Sequence, residues 1–524
     1  MDQLGNPTPN LASGSSSHAE GSGAIASGDN SHAEGFKTEA NQFAAHAEGS
    51  LSIASGFHSH AEGFETEANK FAAHAEGLFT IASGDQSHAE GGRTEARGEA
   101  SHAEGFGTTA GGFYSHAEGN GTIASGEASH AEGAGNTASG RAAHVEGGGV
   151  DQFGQLAPNL ASGDSSHAEG VGTIASGFAA HAEGGVSFIT GTYLGPVASG
   201  DFSHAEGETT IASGYASHAE GKLTTARGSF SHAEGYLTTA SGGISHAEGL
   251  NTTANGGSGC HAEGEGTTAS GSRSHAEGFF TIASGLQSHA EGAFTNTAGF
   301  NAAHIMGRYG NAEEDYSWFI GNGTSDVLRG LGAKWLASDG EMYIDGTTYN
   351  TGGADVAEMF ETIDGNSIDF GYFVTLEEDK IRIATSADDF ILGISSATPS
   401  LLGNSAGLSW HGRYVLDEWG RRTYHEVTIP SKKDRNGNEI IPEHSEIQPV
   451  INPEWDPKRE YIPRKKRAEW VSVGLIGKIL VRDDGTCQVN GYCRPNNSGI
   501  ATAADIGYRV MKRTGPNQIL VLFR

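Results

Sequence analysis

The sequence predicts an all-β chain: a trimeric parallel β-roll of 14-residue coils, followed by a β-rich C-terminal domain. Two observations point there. The tetrapeptide His-Ala-Glu-Gly, or a near relative, recurs from His18 to Gly307, mostly at a spacing of 14. Lys and Arg are then unevenly placed, with 8 of the 32 before residue 305 and 24 after it, which marks a change of composition. The expected divisions are a roll over 1–307, a β connector over 308–354 and a globular domain over 355–524.

The repeat divides into two halves of seven, Thr-Ile-Ala-Ser-Gly-x-x at 80–86 and Ser-His-Ala-Glu-Gly-x-x at 87–93. Each alternates with period two, as a strand does. A glycine at every seventh position excludes helix. Two short strands and two turns make one coil, and roughly twenty coils stacked at about 4.8 Å give a rod of roughly 95 Å. Ser, Thr, Ala and Gly point inward, so the two sheets lie very close. At about 25 cal/mol per Å² such a core gains little from burial and does not by itself offset the ordering of the backbone. Self-association into a homotrimer is the expected remedy. Two spacings of 23, His144 to His167 and His181 to His204, hold nine additional residues each. These are expected as loops near 148–157 and 185–196.

The motifs Ser-His-Ala-Glu-Gly and Thr-Ile-Ala-Ser-Gly make residues 10–307 resemble the head repeats of YadA-like trimeric autotransporter adhesins. The resemblance implies a left-handed parallel β-roll, three chains around one axis. It departs at the outward positions, which are His and Glu here and aliphatic in those heads. The membrane-anchor barrel of those adhesins has no counterpart in the sequence.

One outward face carries His and Glu at almost every coil. The other varies, as at Ile25, Glu39, Ile53, Glu67 and Thr109. The fixed pair is expected to meet the trimer axis, each buried Glu offset by a His whose pKa the carboxylate raises. His and Glu two apart are also possible metal ligands, but charged pairs account for the pattern without ions. No metal and no cofactor is expected. Phe36, Phe57, Phe64, Phe106 and Phe279 follow turns and are expected to stack along an edge, where they could also meet a glycan.

A net charge of −32 argues against nucleic acid as a partner. Cys260, Cys487 and Cys493 form no disulfide framework and no CxxC pair, and are expected reduced. No export signal is read after Met1, and no run of 18 apolar residues exists to span a membrane. Residues 1–14 align with 150–163, so the chain is expected to begin within a repeat array.

Beyond residue 354 apolar runs appear: GYFVTL at 371–376, FILGISS at 390–396, WVSVGLIGKILVR at 470–482 and QILVLF at 518–523. Asn436-Gly437 and Asp484-Gly485 read as hairpin turns. The basic stretch from Lys458 to Arg467 reads as a solvated loop.

The stretch TGGADVAEMFE at 351–361, with GYFVTLEEDKIR, ILGISS, WHGRYVLDEWGR and VRDDGTCQVNGYCRPN, resembles the G2 peptidase family. That family is the intramolecular-chaperone autocleavage domain of phage neck-appendage and tail-spike proteins. The resemblance spans 350–524. It implies a trimeric piece that drives fibre assembly and is released by a cut before the Asp of a small-residue–Asp–x–Ala–Glu motif. Here that is the Ala354–Asp355 bond, with Asp355 and Glu358 as catalytic carboxylates. The intervening residue, usually aromatic in the family, is Val356. Such chemistry needs a base for water and an acid for the leaving amine, which two carboxylates in unlike environments can supply. Glu358 is expected as base, Asp355 as positioner or proton donor, the pair brought together on a turn. A domain of this kind is a single-turnover, self-cleaving peptidase with no external substrate.

The implied function is a phage-type fibre or appendage for surface attachment, located on a virion or a cell surface, with a host glycan or protein as receptor. The alternative is a bacterial surface adhesin with the same self-processing end. A glycan-degrading spike enzyme is a third class, and the repeats hold no cleft with an isolated carboxylate pair to support it.

Overall fold

The computed structural model describes residues 9–151, 154–189, 192–346, 348–405, 412–433, 439–441, 443–456, 458 and 460–524. The chain separates into two compact units, Met1–Gly346 and Thr347–Arg524. Among the described residues every regular element is a strand except a short 3₁₀ turn at Arg464–Lys466.

The first unit is a parallel β-solenoid. Each coil supplies a strand at the His-Ala-Glu-Gly segment, such as His74–Leu78, and a two-residue strand at the other half, such as Ile81–Ala82. Successive coils pair in parallel with identical residues in register: His74 opposite His88, Ala75 opposite Ala89, Glu76 opposite Glu90. Sequence identity between coils therefore becomes spatial superposition. The alanines of both halves, Ala61, Ala75 and Ala89 with Ala54, Ala68 and Ala82, are wholly buried and form the inner layer. Where a serine precedes the His, as in most coils, it closes the turn. Ser59 Oγ donates to the Gly56 carbonyl at 2.7 Å, and Ser87 Oγ does the same to Gly84.

The glycine of each His-Ala-Glu-Gly segment has two reasons to be there. Gly63 has φ +122, and a Cβ on it would fall inside contact distance of the Gly77 carbonyl oxygen in the next coil. Both reasons repeat along the column, so the side-chain-free position is imposed by stacking itself.

The two insertions leave the stack unbroken. His144 pairs directly with His167, and His181 with His204, across their 23-residue spacings. The second insertion folds into a small antiparallel pair, Ser187–Ile189 with Thr192–Leu194. Past Gly307 the column continues by one coil, with Trp318 opposite His304, and larger core residues, Ile305 and Phe319, replace alanine. Antiparallel strands at Leu331–Trp335 and Met342–Ile344 follow.

Within one chain the His and Glu columns already lie side by side. The imidazoles stack face to face, as His167 and His181 do at 4.8 Å with planes 1° apart. Most also approach a glutamate: His116 Nε2 lies 3.2 Å from Glu104, and His204 lies 3.3 Å from Glu183 and 3.8 Å from Glu206. The carboxylates do not dominate. His60, His88, His218 and His289 are all held below the usual imidazole pKa, first by burial and then by neighbouring histidines. Loss of water around the ring disfavours the cation most, and a stacked cation also sees like charge above or below it.

The glutamates alternate. Glu169, Glu206, Glu234 and Glu263 are pushed up to about 7, chiefly by hydrogen bonding to neighbouring carboxyls. Glu183 and Glu220, between them, are held down at about 2. A column of acids at coil spacing shares protons between neighbours, so it carries fewer charges than its residue count.

Aromatic stacking along the edges is present, though not through every expected ring. Phe64 meets Phe79 edge-on at 5.5 Å, and Phe279 meets Phe280 and Phe294. Phe36 instead lies beneath the Lys37 ammonium, and Phe106 beneath the Arg93 guanidinium.

The second unit is built on the long strand Trp470–Arg482. Its first half pairs antiparallel with Asp355–Glu361 on one edge and Gly393–Ser395 on the other, and its second half with Gln518–Phe523. The sheet extends through Phe373–Glu377 and Lys380–Ile383 on one side, and through Tyr508–Gly515, Tyr492–Pro495 and Ala501–Ala504 on the other. Phe373, Ile394, Val481, Val510, Ile519 and Val521 fill the core. All four apolar runs seen in the sequence become strands here.

Two turn readings fare differently. Asn436-Gly437 lies outside the described residues. Asp484-Gly485 is a bend leaving Trp470–Arg482, not a two-residue hairpin, because that strand takes Gln518–Phe523 as its partner instead of the next strand along the chain. Cys260, Cys487 and Cys493 are buried and free.

Candidate active site

The bond before Asp355 enters the strand Asp355–Glu361, which lies between Trp470–Arg482 and the short parallel strand Leu401–Gly403. This segment borders a cleft of about 720 Å³ whose lining includes Gly353, Ala354, Asp355, Ser396 and Lys478.

Asp355 is 5% exposed and faces inward with Ala357 and Met359. Its Oδ2 is buried with no hydrogen-bond partner among the described residues. Burial pushes its carboxyl above the ordinary aspartate pKa, while a hydrogen bond from Ser396 pulls the other way. The backbone around it is clamped. The Asp355 carbonyl accepts from the Ser400 N–H at 2.7 Å and from the Ser400 hydroxyl at 2.6 Å. The Ala354 carbonyl accepts from the Lys478 N–H at 3.1 Å.

Glu358 stands on the other face of the same strand, with Val356 and Phe360. It lies opposite Gly403, where a Cβ would sit 3.6 Å from Glu358 Cγ. The three-residue spacing is thus realised on a strand and not on a turn. The two carboxylates are separated by the sheet plane and by about 10 Å of strand rise.

The basic stretch also differs from a solvated loop. Lys465 and Lys466 are exposed, but Arg464 is 5% exposed. Its guanidinium stacks on Trp470 at 3.9 Å and donates to the Asn404 backbone carbonyl at 2.8 Å and to the Asn404 side-chain oxygen. Asn404 in turn donates to the Met359 carbonyl at 3.3 Å. Glu361 and Glu358 are near enough to act electrostatically on Arg464, against the burial and the Arg467 charge that lower its pKa. Proline and charge spacing hid this residue, because its partners are about sixty positions away or part of a later strand. Ser396, Ser400 and Lys478 carried no sequence signal either.

Residues 308–518 match the family described as Peptidase_G2, IMC autoproteolytic cleavage domain. The match takes in about two fifths of the chain, including Ala354 and Asp355. Curated relatives also match part of the chain. The pre-neck appendage protein of Bacillus phage B103 is 40% identical over 163 residues, 31% of this chain and 17% of the relative. That of Bacillus phage phi29 is 37% identical over 158 residues, 30% of this chain and 17% of the relative. A putative phage-related protein of Bacillus subtilis (strain 168), YobO, is 36% identical over 160 residues, 30% of this chain and 18% of the relative. The chain spans about a sixth of the length of these relatives.

Among solved structures, the C-terminal fragment of bacteriophage phi29 gene product 12 is 33% identical, with 32% of this chain and 100% of that one covered and a TM-score of 0.27. The pre-mature phi29 gene product 12 is 17% identical, with 97% of this chain and 68% of that one covered and a TM-score of 0.42. Among the described residues no helix is long and apolar enough to cross a membrane.

Proposed function

We propose that the chain is a homotrimeric appendage fibre of a phage or phage-like particle. In this reading the solenoid serves surface attachment, and the Peptidase_G2 segment promotes assembly and then releases itself by cutting Ala354–Asp355. The observation that carries the cut is the Asp355 carboxyl, buried and raised in pKa, immediately on the leaving-group side of the bond. A carboxyl that keeps its proton can give it to the departing amine. Glu358 is assigned the part of the base that takes a proton from water. Because it stands on the opposite strand face, it serves the bond of a neighbouring chain in the trimer. The cut is made once per chain, and no outside substrate is required.

Trimerisation is supported by the alanine core of the solenoid, which removes little apolar surface from water. The phage reading is supported by the relatives from phages B103 and phi29, both named as pre-neck appendage proteins. Cutting after assembly removes the piece that set the register, so the rod is held kinetically. Mass measurement of the purified protein tests this, denatured for the chains and native for the assembly. A trimer of cut chains whose small fragment starts at Asp355 is the expected result. A folded, full-length monomer would overturn it.

A further inference from the structure

The Ala354 carbonyl is gripped by the Gly477–Lys478 step of the long strand, and we propose that this step is the catalytic electrophile of the cut: the Lys478 backbone N–H stabilises the oxyanion, and Gly477 positions it. The inference rests on the reading of Ala354–Asp355 as the scissile bond.

Three observations converge. The Lys478 N–H already donates to the Ala354 oxygen at 3.1 Å, so a fixed donor is aimed at the atom on which negative charge develops. Gly477, directly opposite Asp355, has φ +128, and a Cβ there would lie 2.5 Å from the Ala354 oxygen and 2.7 Å from Asp355 Cα. Any side chain at 477 would push the carbonyl off its donor. Ser400 holds the next carbonyl, that of Asp355, through both its N–H and its hydroxyl, which leaves the intervening bond little freedom to retreat.

The step balances without a cofactor. Water oxygen bonds to the Ala354 carbonyl carbon and loses a proton to the base, and the carbonyl electron pair moves onto oxygen beneath the Lys478 N–H. Collapse breaks the carbon–nitrogen bond. The Asp355 nitrogen takes the carboxyl proton, leaving an acid at Ala354 and a free amine at Asp355. The donor is a main-chain group fixed in a sheet, so it needs no reorganisation when charge appears.

The test uses the full chain with Gly477→Ala, following cutting by mass over time. Losing one such donor costs about 10²–10³ in rate, so slowing of at least about tenfold in an otherwise assembled protein is expected. Cutting at the unaltered rate would overturn the inference. Should Gly477→Ala fail to fold, hydrogen exchange of the Lys478 amide decides instead, compared between uncut Glu358→Ala protein and the released fragment. Protection in the uncut chain that falls at least tenfold after release supports the contact, and equal exchange overturns it. The N-terminal residue of the fragment separates the two readings: a start other than Asp355 removes the proposed bond itself, whatever the Gly477 result.

Discussion

Asp355 and Glu358, three residues apart, stand on opposite faces of one strand, the first buried against the sheet and the second beside Gly403. A single chain therefore does not present both to the same water. If Glu358 serves a neighbouring chain, Glu358→Ala alone leaves an uncut assembly. Mixed assemblies of tagged Glu358→Ala chains with unaltered chains then show the tagged chains cut. Denaturing mass measurement reads both. Tagged chains that stay whole in mixed trimers would confine the base to its own chain.

The coil glycine gives a stability prediction. Gly63→Ala combines a left-handed φ of +122 with a backbone collision in the next coil. Positive φ for a residue with a Cβ and overpacking each cost about 1–3 kcal/mol. The melting temperature of the solenoid is expected to fall by several degrees. An unchanged transition would mean that the coils can part locally without loss.

The carboxylate column makes stability depend on pH through named groups. Glu206 is raised to about 7, so its folded form holds a proton that the unfolded chain releases near the ordinary glutamate value of 4.5. Its contribution is complete below 4.5 and is lost as pH rises through 7. Glu206→Gln mimics the protonated form. The variant should melt above the unaltered protein at pH 8, with the difference shrinking as pH falls toward 5. A difference independent of pH would contradict proton sharing. The histidines act with the opposite sign. His60 and His218 are lowered, so the unfolded chain binds their protons first and stability falls as pH drops below 6.5.

Arg464 ties the segment after Leu401–Gly403 to the core through Asn404 and lies over Trp470. Arg464→Ala removes the hydrogen bonds and the ring contact together, at an expected cost of about 1–3 kcal/mol. Arg464→Lys recovers only part, since an ammonium lacks the planar fork. Denaturant unfolding followed by tryptophan fluorescence measures both, and equal stability of all three proteins would show the arginine to be a bystander.

The solenoid was legible because its grammar is local. His74, Ala75, Glu76 and Gly77 recur at one period, and one coil, once understood, dictates the next. The direction of the histidine shifts was not legible, because the sequence shows each His beside a Glu and shows neither its burial nor the His above and below it. Asp355 was singled out by motif, but its burial depends on Trp470–Arg482, more than a hundred positions away. Arg464 looked solvated for the same reason: three neighbouring cations suggest surface, and only Asn404 and Trp470, brought in by the fold, explain a buried one.

The unbroken pairing of His144 with His167 across nine extra residues separates two properties that most folds entangle. Reach is set by how many coils are counted out, and decoration by what is hung on a turn. A lineage can alter either by gaining or losing one short tract of DNA, and the cross-section that every coil presents to its neighbours stays the same.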